Sequence, residues 1–162
     1  MRATASLLAL ALTAALAASG CGKTVDLATG VQVLDVSTGW FDAGIVDGKN
    51  KLVPSVTFTL KNTSDQKLRV LQVNALFRRV TEADEWGSGL VTAAGSDGLD
   101  PGAATSALTV RSPLGYTGTD SREQMLQNKA FVDAKVDLFA KYGSAQWKKI
   151  GEYPITRRLI TP

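Results

Sequence analysis

The chain predicts an all-β fold, an antiparallel β-sandwich of about seven strands with one short helix. Three observations carry this. In the stretch after residue 53, Pro54, Val56, Phe58 and Leu60 share one parity while Ser55, Thr57, Thr59 and Lys61 share the other. That period of two sets one face in a core and the other in water. In residues 131–142 the alternation returns, with Val132, Ala134, Val136, Leu138, Ala140 and Tyr142 set against Asp133, Lys135, Asp137 and Lys141, a mixed-charge face expected to be solvated. Between such runs lie clusters of Gly, Asn, Asp, Ser and Pro, the residues of turns. At 162 residues the chain holds one domain.

Taken in order, residues 31–37 are expected as the first strand and 38–50 as a loop carrying Trp40 and Phe41 among three glycines. Residues 53–80 are two strands joined by the polar turn 62–66. In the second arm Leu68 and Val70 share one parity and Leu71, Val73, Ala75 and Phe77 the other. One extra residue, a β-bulge near Val70 and Leu71, makes such a switch. Residues 81–88 form a polar loop with Trp86, 90–94 a short strand, 95–102 a turn, 103–111 a strand and 112–119 a loop with Tyr116. A helix over 121–129 follows, capped by Asp120 with Glu123 three residues on. It is short and needs tertiary support. After the strand at 131–142, residues 146–150 and 153–160 form a last strand interrupted by Gly151 and Pro154, which places it at an edge or a bulge.

Composition excludes several chemistries. There is no histidine, so Ser-His-Asp and Cys-His catalysis and His-ligated metal sites are absent. One cysteine permits no intrachain disulfide and no CxxC site. No carboxylate pair or Ser-Lys pair stands at a recognisable spacing, so the expectation is a non-enzyme without cofactor. The paired cations Arg78-Arg79, Lys148-Lys149 and Arg157-Arg158 are scattered rather than clustered with aromatics, against a nucleic-acid partner. Asp42 with Asp47, and Asp97 with Asp100, lack the spacing of a calcium loop and read as solvated turn aspartates. Asn62-Thr63-Ser64 has the form of a glycosylation sequon and reads here as a turn.

Residues 1–20 have the three-part form of a secretory signal: a basic start at Arg2, an apolar run too short and alanine-rich for a membrane span, and small residues at the end. The sequence Ala18-Ser19-Gly20-Cys21 resembles a bacterial lipobox, with Ala18 where that family usually carries leucine. The resemblance implies that Cys21 is acylated, becomes the new N-terminus and anchors the chain to a membrane. With Gly22 rather than aspartate next, it implies the outer membrane, facing the periplasm. Without Arg2 the remainder carries 17 basic against 15 acidic side chains, a net charge of +2. Residues 21–30 are then the lipidated cysteine and its tether, and 31–162 the folded domain.

The run VTFTLKNTSDQKLRVLQVNALF, followed by Leu99-Asp100-Pro101-Gly102 ahead of the threonine-bearing segment ATSALTV, is similar to immunoglobulin-like domains of bacterial envelope lipoproteins of the FxLYD kind, and to water-stress (late-embryogenesis) domains. The strand comparable to the FxLYD signature reads Asn74-Ala75-Leu76-Phe77. The resemblance implies an immunoglobulin-like sandwich over residues 31–160; its motifs mark fold, not chemistry.

If successive strands alternate in direction, the loops at 38–50, 81–88 and 112–130 share the end opposite the tether. They carry Trp40, Phe41, Trp86 and Tyr116, the candidate interaction residues, since sandwiches present recognition loops at their ends and large aromatics anchor interfaces. The competing reading, favoured by the usual burial of large aromatics, makes Trp40 and Trp86 plugs over the core. The function expected is a lipid-anchored, non-catalytic envelope domain acting as a protein-interaction or accessory module, an accessory subunit of an envelope assembly or a binder of an unidentified envelope protein or polymer. The alternative is a small-ligand or lipid carrier using the space between the sheets, against which the inward Phe58, Phe77 and Leu138 argue.

Overall fold

A computed structural model describes residues 23–161; the signal segment 1–20 and Cys21 lie outside the described residues. The fold is an all-β sandwich. One sheet has the order β5-β2-β1-β9, with β6 also on β2; the other has the order β4-β3-β7-β8. The strands are β1 (Val31–Val46), β2 (Lys49–Asn62), β3 (Leu71–Arg79), β4 (Gly87–Ala94), β5 (Leu108–Arg111), β6 (Tyr116–Gly118), β7 (Ala134–Tyr142), β8 (Lys148–Pro154) and β9 (Leu159–Ile160). With β1, β2, β3, β5, β7 and β8 as A, B, C, E, F and G, the sheets read E-B-A and C-F-G, the immunoglobulin-like arrangement. Three segments depart from the expectation: 38–46 and 116–118, read as loops, are paired, and the last strand splits in two, so that with β6 and β9 nine strands replace the expected seven.

The first of these is 38–46, which continues β1. Asp47-Gly48, with φ of 50° and 73°, closes a two-residue hairpin between Val46 and Lys49, the geometry that Asp-Gly favours because both turn residues need positive φ. β1 carries one extra residue relative to β2 between Leu34 and Ser37, where Asp35 has φ 52°, and a second between Asp42 and Ile45. The first bulge reverses which parity faces inward. Val31 and Val33 pack on the core before it, and Thr38 and Trp40 turn inward after it. The second segment is β6, whose residues 116–118 pair with 50–52 of β2. The approach of Gly115 to Leu52 leaves no room for a Cβ, which would sit on the Leu52 carbonyl.

The third is the C-terminal stretch, which splits between the sheets. β8 pairs with β7, whereas β9 runs parallel to β1, with Trp40 opposite Leu159. Pro154 ends β8, and the Ile155 N–H donates to the Ala134 carbonyl (2.9 Å). Ile155 is buried as the chain crosses, and Thr156 is bound through its N–H by the Thr38 hydroxyl (3.1 Å). The helix α2 (Arg122–Gln127) is shorter than expected and one residue displaced. Ser121 is the cap, and Gln124 completes a reciprocal capping box. The Asp120 carbonyl is engaged instead by the Asn50 side-chain amide (2.8 Å).

The parity switch before β3 is made by Val70, left-handed at φ 51°, ahead of the first residue of β3; the register shift against β4 lies between Leu71 and Gln72. Leu68 and Leu71 on either side of it are both fully buried. The space between the sheets is filled by Phe58, Leu60, Val73, Phe77, Val136 and Leu138, all fully buried. On the outer face of β7, Asp137 is only 4% exposed, not solvated as expected, because Lys149 (2.7 Å) and Arg78 (3.7 Å) close over it.

Residues 26–30, expected as tether, fold back on the sandwich. Asp26 caps the one-turn helix α1 (Leu27–Gly30), and Leu27 is 1% exposed, within the core. The Thr63 N–H donates to the Gly30 carbonyl (3.0 Å), and the Val25 N–H to the Tyr142 hydroxyl (2.6 Å).

Candidate interaction site

The bulge in β1, the end of β3 and the short strand β6 converge on one aromatic cluster. Trp40 is fully buried at its centre. Its ring lies 4.5 Å from Phe131 in an edge-on contact, 5.7 Å from Tyr116 and 6.1 Å from Trp86, by centroids. Trp86 and Tyr116 stand 5.0 Å apart, and Tyr116 and Phe131 4.5 Å apart. These tilted arrangements suit aromatic quadrupoles. The cluster lies beyond the Arg79–Ala134 end of the β3–β7 ladder. The folded-back N-terminal segment lies by its Leu71–Tyr142 end. The two are therefore at opposite ends of the sandwich.

Each ring is placed by its own element. Trp86 is set by the turn after β3, where its N–H donates to the Phe77 carbonyl (2.9 Å). Tyr116 is held by β6 pairing and by its hydroxyl, which donates to the Val132 carbonyl (3.2 Å). Phe131 is buried at the approach to β7. Two guanidinium groups lie on the rings: Arg79 at 4.7 Å from Trp86 and 5.7 Å from Tyr116, and Arg157 at 5.2 Å from Phe131. Arg157 is fixed there by bonds to the Leu126 and Phe131 carbonyls and to Asp133. Arg79 pairs with Glu82 (2.9 Å), and that carboxylate raises the Arg79 pKa above its ordinary value. These are cation–π contacts in which charge stays near water while the ring face is covered.

Trp40, Trp86 and Tyr116 are thus brought together, but only two of them reach the surface. Trp40 offers nothing to a partner, and its place in a strand rather than a loop is the reason. Trp86 and Tyr116 are half-buried. Phe41 is separated from them: it follows Trp40 in β1 and so takes the outer face of the sheet, where the Arg111 guanidinium sits 3.5 Å from its ring. Phe131, Arg79 and Arg157 were not singled out by sequence. Phe131 opens an alternating run and Arg79 ends one, so neither has a local signal for its role.

Beside the cluster, between β6 and α2, lies a cleft of about 310 Å³ with Tyr116, Met125 and Phe131 among its apolar lining and Thr119, Asp120 and Asn128 among its polar lining. It stands at the lower end of ligand-pocket volumes and has room for one inserted side chain. Two of the four candidate oxygen ligands are otherwise engaged: Asp42 is paired with Arg122 and accepts from the Gly44 N–H (2.9 Å), and Asp100 is paired with Lys67 (3.0 Å). The Arg122 hydrogen bond holds the Asp42 carboxyl below its usual range.

No protein-family model matches the chain, and no curated protein matches it. Among solved structures, the one titled "X-ray structure of Northeast Structural Genomics Consortium target SoR45" is similar over 80% of this chain and 89% of its own, at 14% identity and a TM-score of 0.44. That likeness is too distant to bear on what this chain does.

Proposed function

We propose that the protein is a non-catalytic envelope domain, anchored to the outer membrane through acylated Cys21, that binds another envelope protein with its aromatic end. The observation that carries this is the half-buried Trp86–Tyr116 pair under Arg79, beside a side-chain-sized cleft, at the end of the sandwich remote from residue 23. Tryptophan, tyrosine and arginine are the residues that dominate binding energy at interfaces, and rigid rings packed on a buried Trp40 lose little entropy on binding. Support for binding rather than catalysis comes from the absence of histidine. The carrier alternative gains no such support, since the inter-sheet space is filled.

The test is in-cell crosslinking with a photoreactive residue at Trp86 or Tyr116, with Phe41 as the comparison position. A discrete protein adduct from 86 or 116, absent from 41, is expected. Equal labelling at all three positions, or none at 86 and 116, overturns the assignment of this end as the binding surface.

A further inference from the structure

The N-terminal segment is docked on the sandwich almost up to Cys21. The Gln66 side-chain amide donates to the Lys23 carbonyl (2.6 Å), and the Tyr142 hydroxyl accepts from the Val25 N–H (2.6 Å). From Cys21 to Lys23 the chain reaches at most about 7 Å. On the anchoring proposed above, on which this inference rests, the end of the sandwich around Lys23, Gln66 and Tyr142 cannot stand clear of the bilayer.

That end has the chemistry of a membrane-facing surface at one corner. Trp147, in the turn after β7, is 39% exposed, and the Lys141 ammonium lies 5.0 Å from its ring. Residues 141–149 contain three lysines and no acid. Val70 is 45% exposed and accepts a hydrogen bond through its carbonyl from the Gly143 N–H (3.3 Å). At φ 51° this β-branched residue is strained, as residues at functional positions often are. Lys23, Arg69, Lys141 and Lys148 form no ion pair among the described residues. Of the acids at this end, Asp26 caps α1 and Asp100 is paired with Lys67, leaving Asp65 and Asp97. Tryptophan prefers the headgroup zone of a bilayer, and lysines within reach are drawn to anionic lipids.

We propose that this corner seats the domain on an anionic lipid surface. Trp147 and Val70 enter the headgroup zone, and Lys141, Lys148, Arg69 and Lys23 face lipid phosphates. The seating points the aromatic end away from the membrane, toward the envelope space where a partner is met.

The experiment uses the acylated full-length mature protein reconstituted in vesicles of phosphatidylethanolamine and phosphatidylglycerol, or of phosphatidylcholine alone, each containing brominated acyl chains. In the anionic vesicles the bromolipid is expected to quench tryptophan emission, and Trp147→Phe to abolish that quench while Trp40 and Trp86 remain. The double variant Lys141→Ser/Lys148→Ser loses roughly twenty-five-fold in seated population, at roughly fivefold per lysine, and raised salt acts in the same direction. Mass measurement of the N-terminal peptide reports the anchor separately. An unmodified Cys21 overturns the anchoring. Acyl chains on Cys21 with no Trp147 quench overturn the seating alone, as does a Trp147 adduct to a protein in place of lipid quenching. Equal quenching in phosphatidylcholine overturns the requirement for anionic lipid.

Discussion

The two ends of the sandwich are closed by different physics. At one end four aromatic rings stack over the core and two arginines cover them. At the other the closure is polar and centred on Asn62, which is fully buried. Its side-chain amide donates to the Gln66 and Leu99 carbonyls (2.7 and 2.8 Å), and its side-chain oxygen accepts from the Ser64 N–H and hydroxyl (3.0 and 2.7 Å). The Gly102 N–H adds a bond to the Asn62 carbonyl (2.8 Å). The difference follows from what must be covered. The aromatic end exposes side chains of both sheets, and large rings remove that area from water. The Asn62 end exposes backbone where loops cross, and buried backbone groups need partners. One end should therefore fail by cavity formation and the other by orphaned hydrogen bonds.

The strongest way to break the contrast is Trp40→Ala. Loss of the central ring is expected to cost about 3–5 kcal/mol in denaturant unfolding. Amide exchange should accelerate first near Trp86, Tyr116 and Phe131 while Thr63 and Ser64 keep their protection; uniform acceleration at both ends would show that they are not separable. Trp40→Phe should cost less, in part because the buried indole N–H has no partner to lose.

Asn62→Ala is the matching test at the other end. It leaves the Ser64 N–H without a partner and removes one of the two donors to each of the Gln66 and Leu99 carbonyls, which keep the Ser64 hydroxyl and the Leu68 N–H, at a cost on the order of 2–3 kcal/mol. Exchange at Val25 and Gly30 should rise while near-ultraviolet circular dichroism from the tryptophans stays unchanged. A loss of that aromatic signal would contradict the separation.

A smaller effect sharpens the aromatic end. Arg79→Met keeps a long stem and removes the cation over Trp86, for an expected stability loss of about 0.5–1 kcal/mol. Acrylamide should then reach Trp86 more readily, and unchanged quenching would mean the guanidinium does not cover the ring.

The least effect comes from a charge cluster belonging to neither end. On β8, Glu152 is held at a pKa of about 2, below its ordinary 4.5, first by hydrogen bonding to Lys149 and further by Lys135. A carboxylate with a lowered pKa contributes stability above its unfolded value, and that contribution is lost as pH falls from about 4.5 through about 2. Carboxyl NMR should show Glu152 titrating near the lower value, with Lys149→Met moving it upward. Over that pH range the β7–β8 pairing should loosen before either end does; if the Trp86 signals move first, the cluster is coupled to the aromatic end.

The alternating runs were legible because their period is a local property. Phe58 and Leu60 in β2, and Val136 and Leu138 in β7, are core residues where alternation places them. Residues 38–46 were not legible as strand because their glycines mimic a loop. Gly39 is needed instead for close packing, since a Cβ there would come within 2.8 Å of the Arg158 carbonyl and the Ile160 side chain. Gly44 sits in the second bulge at φ 83°, and only Asp47-Gly48 is a turn. The candidate site was legible in part. Trp86 and Tyr116 reach the surface of the aromatic end, whereas Phe41 was lost because strand alternation sends it to the opposite face from Trp40.

By itself, the sequence determined the all-β class, the inward faces of the central strands and the histidine-free chemistry, since periodicity and composition need no distant partner. Tertiary structure decided the rest. A single bulged residue near Asp35 chose whether Trp40 met solvent or core, and pairing with residues 50–52 made a strand of 116–118. The crossing at Ile155 delivered β9 to the other sheet. Each of these depends on a partner far along the chain, and the free energy that selects it appears only when the two segments meet.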